Sequence, residues 1–199
     1  MLLSTSNSLG FPLLTVIVFL PLAGALLLAL LPKRHDGLVQ GTALFVAGLD
    51  LVLALVLFGS FDRGWANPAT QAIQSGFRVG SGFQFVDPAN RALPWLPGGI
   101  SFQLGVDGVS VALVLLTALL GFLALWFSSL HVGPRVREFG IWMLVLQTGM
   151  LGVFAALDLF LFYVFWEATL IPMIFLIAIW GGQERIYATF KFFIYTLAG

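Results

Sequence analysis

The feature that most constrains this chain is an apolar run over residues 158–181 that carries a carboxylate, Glu167, near its middle. About 20 apolar residues suffice for a helix to cross a hydrocarbon core of about 30 Å. An ionised side chain at the bilayer centre costs about 2.5–3.5 kcal/mol on translocon scales, so such residues usually face a protein interior or a wet cavity. Glu167 is therefore the leading candidate for a functional residue.

Two interpretations of Glu167 remain open at this point. The side chain either binds and releases a proton, with its affinity set by desolvation and by any nearby cation, or it is a neutral acid that holds two helices together. The first is favoured because carboxylates inside membranes usually mark function. Pro172 lies five residues on, and it predicts a bend that frees the carbonyl of Ala168, which suits an ion path.

Composition places the chain in the membrane class. The 199 residues are 60% hydrophobic and 9% charged, against about 25% charged in soluble domains. A net charge of +0 gives no basic field for nucleic acid, so we expect lipid and protein partners only. Because the chain has no cysteine, it can supply neither thiolate metal ligands nor iron–sulfur ligation, and any redox centre must lie in a partner.

Hydropathy predicts an all-α, polytopic bundle with about five complete spans and the start of a sixth helix. The spans cover residues 11–31, 38–58, 109–130, 139–157 and 158–180, and the sixth helix runs from 186 to 199, too short to cross. The first run lacks the basic start of a signal peptide and is interpreted as a retained helix. We expect one transmembrane domain, 1–199, as the N-terminal fragment of a longer protein.

A polar, glycine- and proline-rich connection over residues 62–107 separates the second and third spans. Polar and apolar residues alternate over 83–86 and over 100–104, which predicts short strands or a β-hairpin outside the membrane.

Basic residues of the short turns set the predicted orientation. They follow the first, third and fifth helices, which places them on one side, and that side should be cytoplasmic. The residues are Lys33, Arg34, Arg135, Arg137 and Arg185.

Lys191 is the second candidate site residue. It shares a helix face with Tyr187 and Tyr195 at four-residue spacing, and a polar stripe on an apolar helix should face the bundle. Lys191 is then a proton relay or the cation that tunes Glu167. The alternative is a lysine that extends to the membrane interface.

Other polar residues carry weaker predictions. Asp50 has no obvious partner in sequence and is interpreted as an end-of-helix or inter-subunit contact. Gln147 and Thr148 can hold water for proton transfer, although hydrogen bonding between helices is the commoner role. His35 and His131 are expected at the surface, and two lone histidines make no metal site.

Motifs in the C-terminal part resemble a known family. Residues 158–199 contain FYVFWE ending at Glu167, then LIPM, WGG and KFFIYTLAG, and residues 105–110 read GVDGVS. This pattern resembles the antiporter-like membrane subunits of respiratory complex I, NADH:quinone oxidoreductase, and within them the subunit 4 or chain M type. The resemblance covers the helix layout of the whole chain and is strongest over residues 105–199.

The resemblance implies a function. In that family about fourteen helices form two inverted five-helix repeats, and an acid on the fifth helix works with a lysine on the seventh in proton translocation. Glu167 matches the acid, whereas the lysine would lie beyond Gly199. The resemblance implies an enzyme subunit with no cofactor of its own, with NADH, flavin, iron–sulfur clusters and quinone in other complex I subunits. We expect a bacterial plasma membrane in preference to a thylakoid or organelle inner membrane.

Two other functions remain as alternatives. The same helices occur in multisubunit sodium/proton antiporters and in membrane-bound hydrogenases, and a purely structural membrane subunit is also compatible with the sequence.

Overall fold

Six helices dominate the computed structural model, which describes residues 13–31, 36–61, 91–92, 101–131 and 135–198. Five of them are long and apolar enough to cross a membrane. The chain is therefore a multi-pass membrane protein, and the predicted spans are confirmed within a few residues at each end. The helices are α1 (Leu13–Leu30), α2 (Asp36–Ser60), α3 (Ser110–His131), α4 (Val136–Ala155), α5 (Leu159–Trp180) and α6 (Arg185–Ala198).

Two very short strands precede α3. β1 (Arg91–Ala92) pairs antiparallel with β2 (Ser101–Phe102), so that Arg91 lies opposite Phe102. β2 falls inside the predicted strand at 100–104. The other predicted strand, at 83–86, and the residues that join β1 to β2 lie outside the described residues, so the β-hairpin stays a prediction.

One end of the bundle, here named the capped end, contains the starts of α3 and α5. Asp107 accepts hydrogen bonds from the backbone N–H groups of Val109 and Ser110, at 3.0 and 2.6 Å, while the Ser110 hydroxyl accepts from the backbone N–H of Asp107. This reciprocal cap satisfies donors that a helix start leaves free. Asp158 caps α5 in the same way, accepting from the N–H of Phe160 at 2.8 Å.

Backbone pairing joins these two helix starts. Leu104 forms an antiparallel bridge with Ala156, and the N–H of Gly105 donates to the carbonyl of Ala155 at 2.9 Å. The fully buried Leu104 thereby enters the apolar cluster at this end. The segment before α3 is thus fixed to the turn between α4 and α5.

The opposite end, here named the basic end, contains the turns that follow α1, α3 and α5. The Arg137 guanidinium donates from Nη1 to the carbonyl of Leu31 at 2.6 Å, which links the turn after α1 to the turn after α3. The rings of Phe139 and Trp180 meet edge to face, 5.2 Å apart, which brings in the turn after α5. The prediction that these turns share one side is confirmed; its cytoplasmic assignment stays a prediction.

Helix α4 lies at the centre of the bundle, where it packs against α1, α2, α3 and α5. Small residues allow the close approach, as is usual where lipid provides no hydrophobic drive for helix association. A Cβ atom on Gly149 would lie 2.6 Å from the Thr169 side chain, and one on Gly152 would overlap the Phe165 ring. These two glycines fix α5 against α4 and set the position of Glu167. Helix α6 packs mainly on α5.

Candidate functional site

A polar pair lies inside the bundle between α2 and α4. Gln147 donates from Nε2 to Oδ2 of Asp50 at 2.6 Å, and the exposed fractions of the two side chains are 1% and 0%. The bond joins residues 97 positions apart in sequence. Hydrogen bonding between helices, the commoner of the two roles considered for Gln147, is therefore confirmed.

The far oxygen of each partner has no hydrogen bond. Asp50 Oδ1 and Gln147 Oε1 are buried without a partner among the described residues. The neighbouring threonines do not supply one, because Thr117 donates to the carbonyl of Leu113 and Thr148 to that of Leu144 within their own helices. Unpartnered buried polar atoms are rare enough in native structures to require an explanation.

Gly121 on α3 holds the Gln147 amide in place. A Cβ atom at this position would lie 2.6 Å from Gln147 Oε1 and 2.8 Å from Cδ. The absence of a side chain lets the amide lie directly on the α3 backbone. Three helices therefore build the pair: α2 supplies the acid, α4 the amide and α3 the surface beneath it.

The prediction for Asp50 was wrong. Asp50 lies fourteen residues after the start of α2 and ten before its end, and its carboxyl group faces Gln147 of the same chain. It is therefore neither an end-of-helix residue nor a contact between subunits. The partner could not be identified from the sequence around Asp50, because it comes from a helix that follows 97 residues later in the chain.

Glu167 lies in a different environment on α5. Its side chain is half-buried, and Tyr163 lies one turn earlier on the same helix. Phe165, two residues before Glu167, is buried against Gly152, and a two-residue step in a helix turns a side chain by about 200°. Glu167 therefore points away from α4. Helix α5 is continuous through Pro172, which is buried; the bend at this proline stays a prediction.

The two carboxyl groups lie at nearly the same depth. Gly152 opposite Phe165 and Gly149 opposite Thr169 set the register of α4 against α5. Glu167 then lies three or four residues from the level of Gln147, which is one helical turn, about 5 Å along the axis. Asp50 shares the level of Gln147 through their hydrogen bond. The described bundle thus carries two acids near one level, on opposite sides of α4.

Lys191 does not meet Glu167 in the described part of the chain. Its Nζ lies 5.8 Å from the centre of the Tyr187 ring. Lys191 lies six residues after the start of α6, and Glu167 lies thirteen residues before the end of α5. Since the two helices meet at one turn, the difference of seven residues places the two side chains about 10 Å apart in depth. Its role as a relay or tuning cation stays a prediction.

The prediction that the stripe of Tyr187, Lys191 and Tyr195 faces the bundle was wrong for the described helices. Tyr187 and Tyr195 are 65% and 70% exposed, whereas Thr189 is the buried residue of α6. The hydroxyl of Thr189 donates to the carbonyl of Arg185 at 2.7 Å, which satisfies it within the helix and leaves a small, effectively apolar surface for packing.

His35 and the side chain of His131 lie outside the described residues, so their predicted surface positions stay predictions. Within the described ranges, no group of three or more His, Asp or Glu side chains is arranged to hold a metal ion.

The site contains residues that the sequence analysis did not single out. The glycines at 121, 149 and 152 and the Asp50–Gln147 contact all depend on the register between helices distant in sequence. One signal was available: Asp50 and Gln147 are the polar residues near the middle of two apolar spans, and such residues tend to meet.

Comparisons with known proteins agree with this architecture. The family model described as "NADH:quinone oxidoreductase/Mrp antiporter, TM" matches residues 156–199, the segment that contains Glu167 and Lys191. The NADH-quinone oxidoreductase subunit M of Rhodobacter capsulatus is 44% identical over 191 residues, which cover 94% of this chain and 33% of that protein. A chain 4 of the NAD(P)H-quinone oxidoreductase of Thermosynechococcus vestitus is 40% identical, covering 95% and 32%.

The fold agrees as well. A chain of the respiratory complex I of Thermus thermophilus, solved with bound NADH, superposes with a TM-score of 0.69 at 30% identity, covering 93% of this chain and 33% of that one. The chain spans about a third of the length of the curated relatives it matches. By sequence and by fold, it is a homologue of the antiporter-like membrane subunits of respiratory complex I, of the subunit M or chain 4 type.

Proposed function

We propose that this chain is part of a proton-translocating membrane subunit of NADH:quinone oxidoreductase, in which Glu167 binds and releases protons within the membrane. The observation that carries the proposal is the position of Glu167. It is a half-buried acid on a membrane-spanning helix, in the segment that matches the family model, and it points away from the helix that holds α5 in place.

The open position of Glu167 supports proton exchange. An ionised carboxyl group facing lipid is costly, so the outer side of α5 must be covered by protein or by a water-lined cavity. Tyr163 lies on the same side and is 56% exposed, which gives Glu167 a hydroxyl neighbour that can pass a proton. Under this proposal, protons reach Glu167 from the Tyr163 side of α5 and not through the apolar core.

The redox chemistry takes place in partner subunits under this proposal. The chain has no cysteine to ligate an iron–sulfur cluster. We infer that NADH, flavin, iron–sulfur clusters and quinone bind to the other membrane and peripheral subunits of the complex. This chain would couple quinone reduction to proton transfer through buried ionisable groups. We infer a bacterial plasma membrane as its location, with the basic end on the cytoplasmic side.

Lys191 is proposed as a relay residue, not as a direct ion-pair partner of Glu167. It is exposed on α6, and about 10 Å in depth separates it from Glu167. A proton entering from the basic end would reach the level of Lys191 before that of Glu167.

The test is Glu167→Gln in the intact complex within its native membrane. Glutamine keeps the shape of the side chain but cannot ionise, so we expect proton pumping per NADH oxidised to fall at least tenfold while the complex still assembles. The matched control is Glu184→Gln, which removes a carboxylate from the exposed turn between α5 and α6. Full pumping by the Glu167 variant would overturn the proposal.

The same preparation tests the alternatives. When the tagged subunit is purified in mild detergent, inhibitor-sensitive NADH:quinone reductase activity should copurify with it. The family description also names the Mrp antiporter, and copurification of other antiporter-like subunits without NADH activity would favour that function. A purely structural subunit predicts that Glu167→Gln reduces assembly, while the complexes that do assemble still pump.

A further inference from the structure

We propose that the Asp50–Gln147 pair is a second proton-binding site, in which Asp50 is a neutral acid whose proton on Oδ1 is donated to Oε1 of Gln147. With the bond from Gln147 Nε2 to Asp50 Oδ2, this closes a ring of two hydrogen bonds between a carboxyl group and an amide. The proposal concerns an acid other than Glu167 and is independent of the proposed function.

The two unpartnered oxygens carry the argument. Asp50 Oδ1 and Gln147 Oε1 are both acceptors, both buried, and both belong to a pair already joined by a bond of 2.6 Å. Two acceptors cannot bond to each other unless one of them carries hydrogen. A protonated carboxyl group has one donor and one acceptor on its edge, as a primary amide does, so one proton satisfies both oxygens.

The charges around Asp50 lead to the same conclusion. Helix α2 packs against α1, α3 and α4. Helix α1 has no charged residue, α3 has only His131 at its last position, and α4 has Arg137 and Glu138 at the basic end, about 15 Å from the level of Gln147. No cation among the described residues reaches this carboxyl group. Burial without a countercharge favours the neutral form of an acid.

A bound metal cation fits the same pair less well. Hard cations in proteins take about six or more oxygen ligands, and the described residues around Asp50 offer two unpartnered side-chain oxygens. Gly121 also restricts the amide, because its backbone lies directly against Gln147. A single proton, by contrast, needs only the two unpartnered oxygens of this hydrogen-bonded pair.

The test is infrared difference spectroscopy of the intact complex at neutral pH. The spectrum of the wild type minus that of Asp50→Asn should contain the C=O band of a protonated carboxyl group, and it should shift in D₂O. Glu138→Gln is the matched control, since it removes a carboxylate from the exposed end of α4 and should leave that band in place. A carboxylate band in the difference spectrum, or a spectrum that depends on added sodium, would overturn the proposal.

A second variant tests the pairing itself. Gln147→Leu removes the acceptor for the Asp50 proton, so the C=O band should move to higher frequency, as expected for a carboxyl group that loses its hydrogen bonds. An unmoved band contradicts the pairing. Asp50→Asn reproduces both hydrogen bonds of the neutral acid, so failure of that variant to assemble would also count against the proposal.

Discussion

The two acids of this bundle lie within about one helical turn of the same depth, yet they differ in almost every other respect. Asp50 is fully buried among α2, α3 and α4 and bonded to an amide, whereas Glu167 is half-buried on the outer side of α5 beside an exposed tyrosine. Burial alone therefore does not identify the acid that exchanges protons. A group that cycles protons needs a route for them, and under the proposed function Glu167 has that route on the outer side of α5.

The largest expected difference between the two acids is in proton pumping, measured with an isosteric variant of each. Glu167→Gln should reduce pumping at least tenfold, as stated above, whereas Asp50→Asn should leave it within about twofold of the wild type, because Asn preserves the neutral pair. Pumping and NADH oxidation are measured together in sealed vesicles. Loss of pumping in the Asp50 variant, with assembly intact, would show that the two acids act in one path.

A second test disturbs the contact between α4 and α5, which positions Glu167 but does not include Asp50. Gly152→Val places a branched side chain where the Phe165 ring lies, and overpacking of this kind costs about 3 kcal/mol. We expect a lower midpoint of thermal unfolding for the purified complex and a displaced α5.

The matched rescue is the double variant Gly152→Val with Phe165→Ala, which returns space to the same contact. Recovery of most of the lost stability is expected. An equal loss in single and double variants would mean that the glycine matters for a reason other than the close approach of the two helices.

Gln147→Leu should have a smaller effect on stability, and it tests how much the hydrogen bond to Asp50 contributes. It leaves the buried carboxyl group without a donor, and an unsatisfied buried polar group costs about 1–3 kcal/mol. The double variant with Asp50→Leu removes both polar groups and should regain much of that loss. Thermal unfolding of the four proteins forms a double-mutant cycle, and additive effects would show that the two side chains do not interact.

The smallest expected effect lies far from both acids. Arg135 has a φ of 57°, in the left-handed region, which strains a residue with a side chain by about 1–2 kcal/mol. Its ion pair with Glu138 is long, at 3.7 Å, and exposed, so it adds little. Arg135→Gly should therefore raise stability by about 1 kcal/mol without changing pumping. A decrease in stability would indicate that the guanidinium has a stronger contact than this pair.

Helix positions could be predicted from the sequence, because span length and apolar runs are local properties. The motif GVDGVS also has a local explanation, since Asp107 and Ser110 cap each other at the start of α3. The prominence of Glu167 followed from one charged residue in an apolar run, without any tertiary information.

Contacts between helices could not be predicted, because they depend on rotation and register. The midspan positions of Asp50 and Gln147 are visible in the sequence, but whether the two side chains meet depends on how α2 and α4 pack. The Lys191 stripe failed for a related reason. A polar stripe predicts the packed face of a helix, but threonines that bond to their own backbone can pack as small apolar residues, and Thr189 does so.

The bond from Arg137 to the carbonyl of Leu31 has a consequence for synthesis of the chain. The donor follows the acceptor by 106 residues, which at about 5–20 residues per second is a delay of roughly 5–20 s. During that interval the first helix is in the membrane, but the carbonyl just after its last residue lacks its guanidinium partner. This contact at the end of the first helix can therefore form only after the fourth helix has begun to emerge from the ribosome, so the basic end of the protein closes late in synthesis.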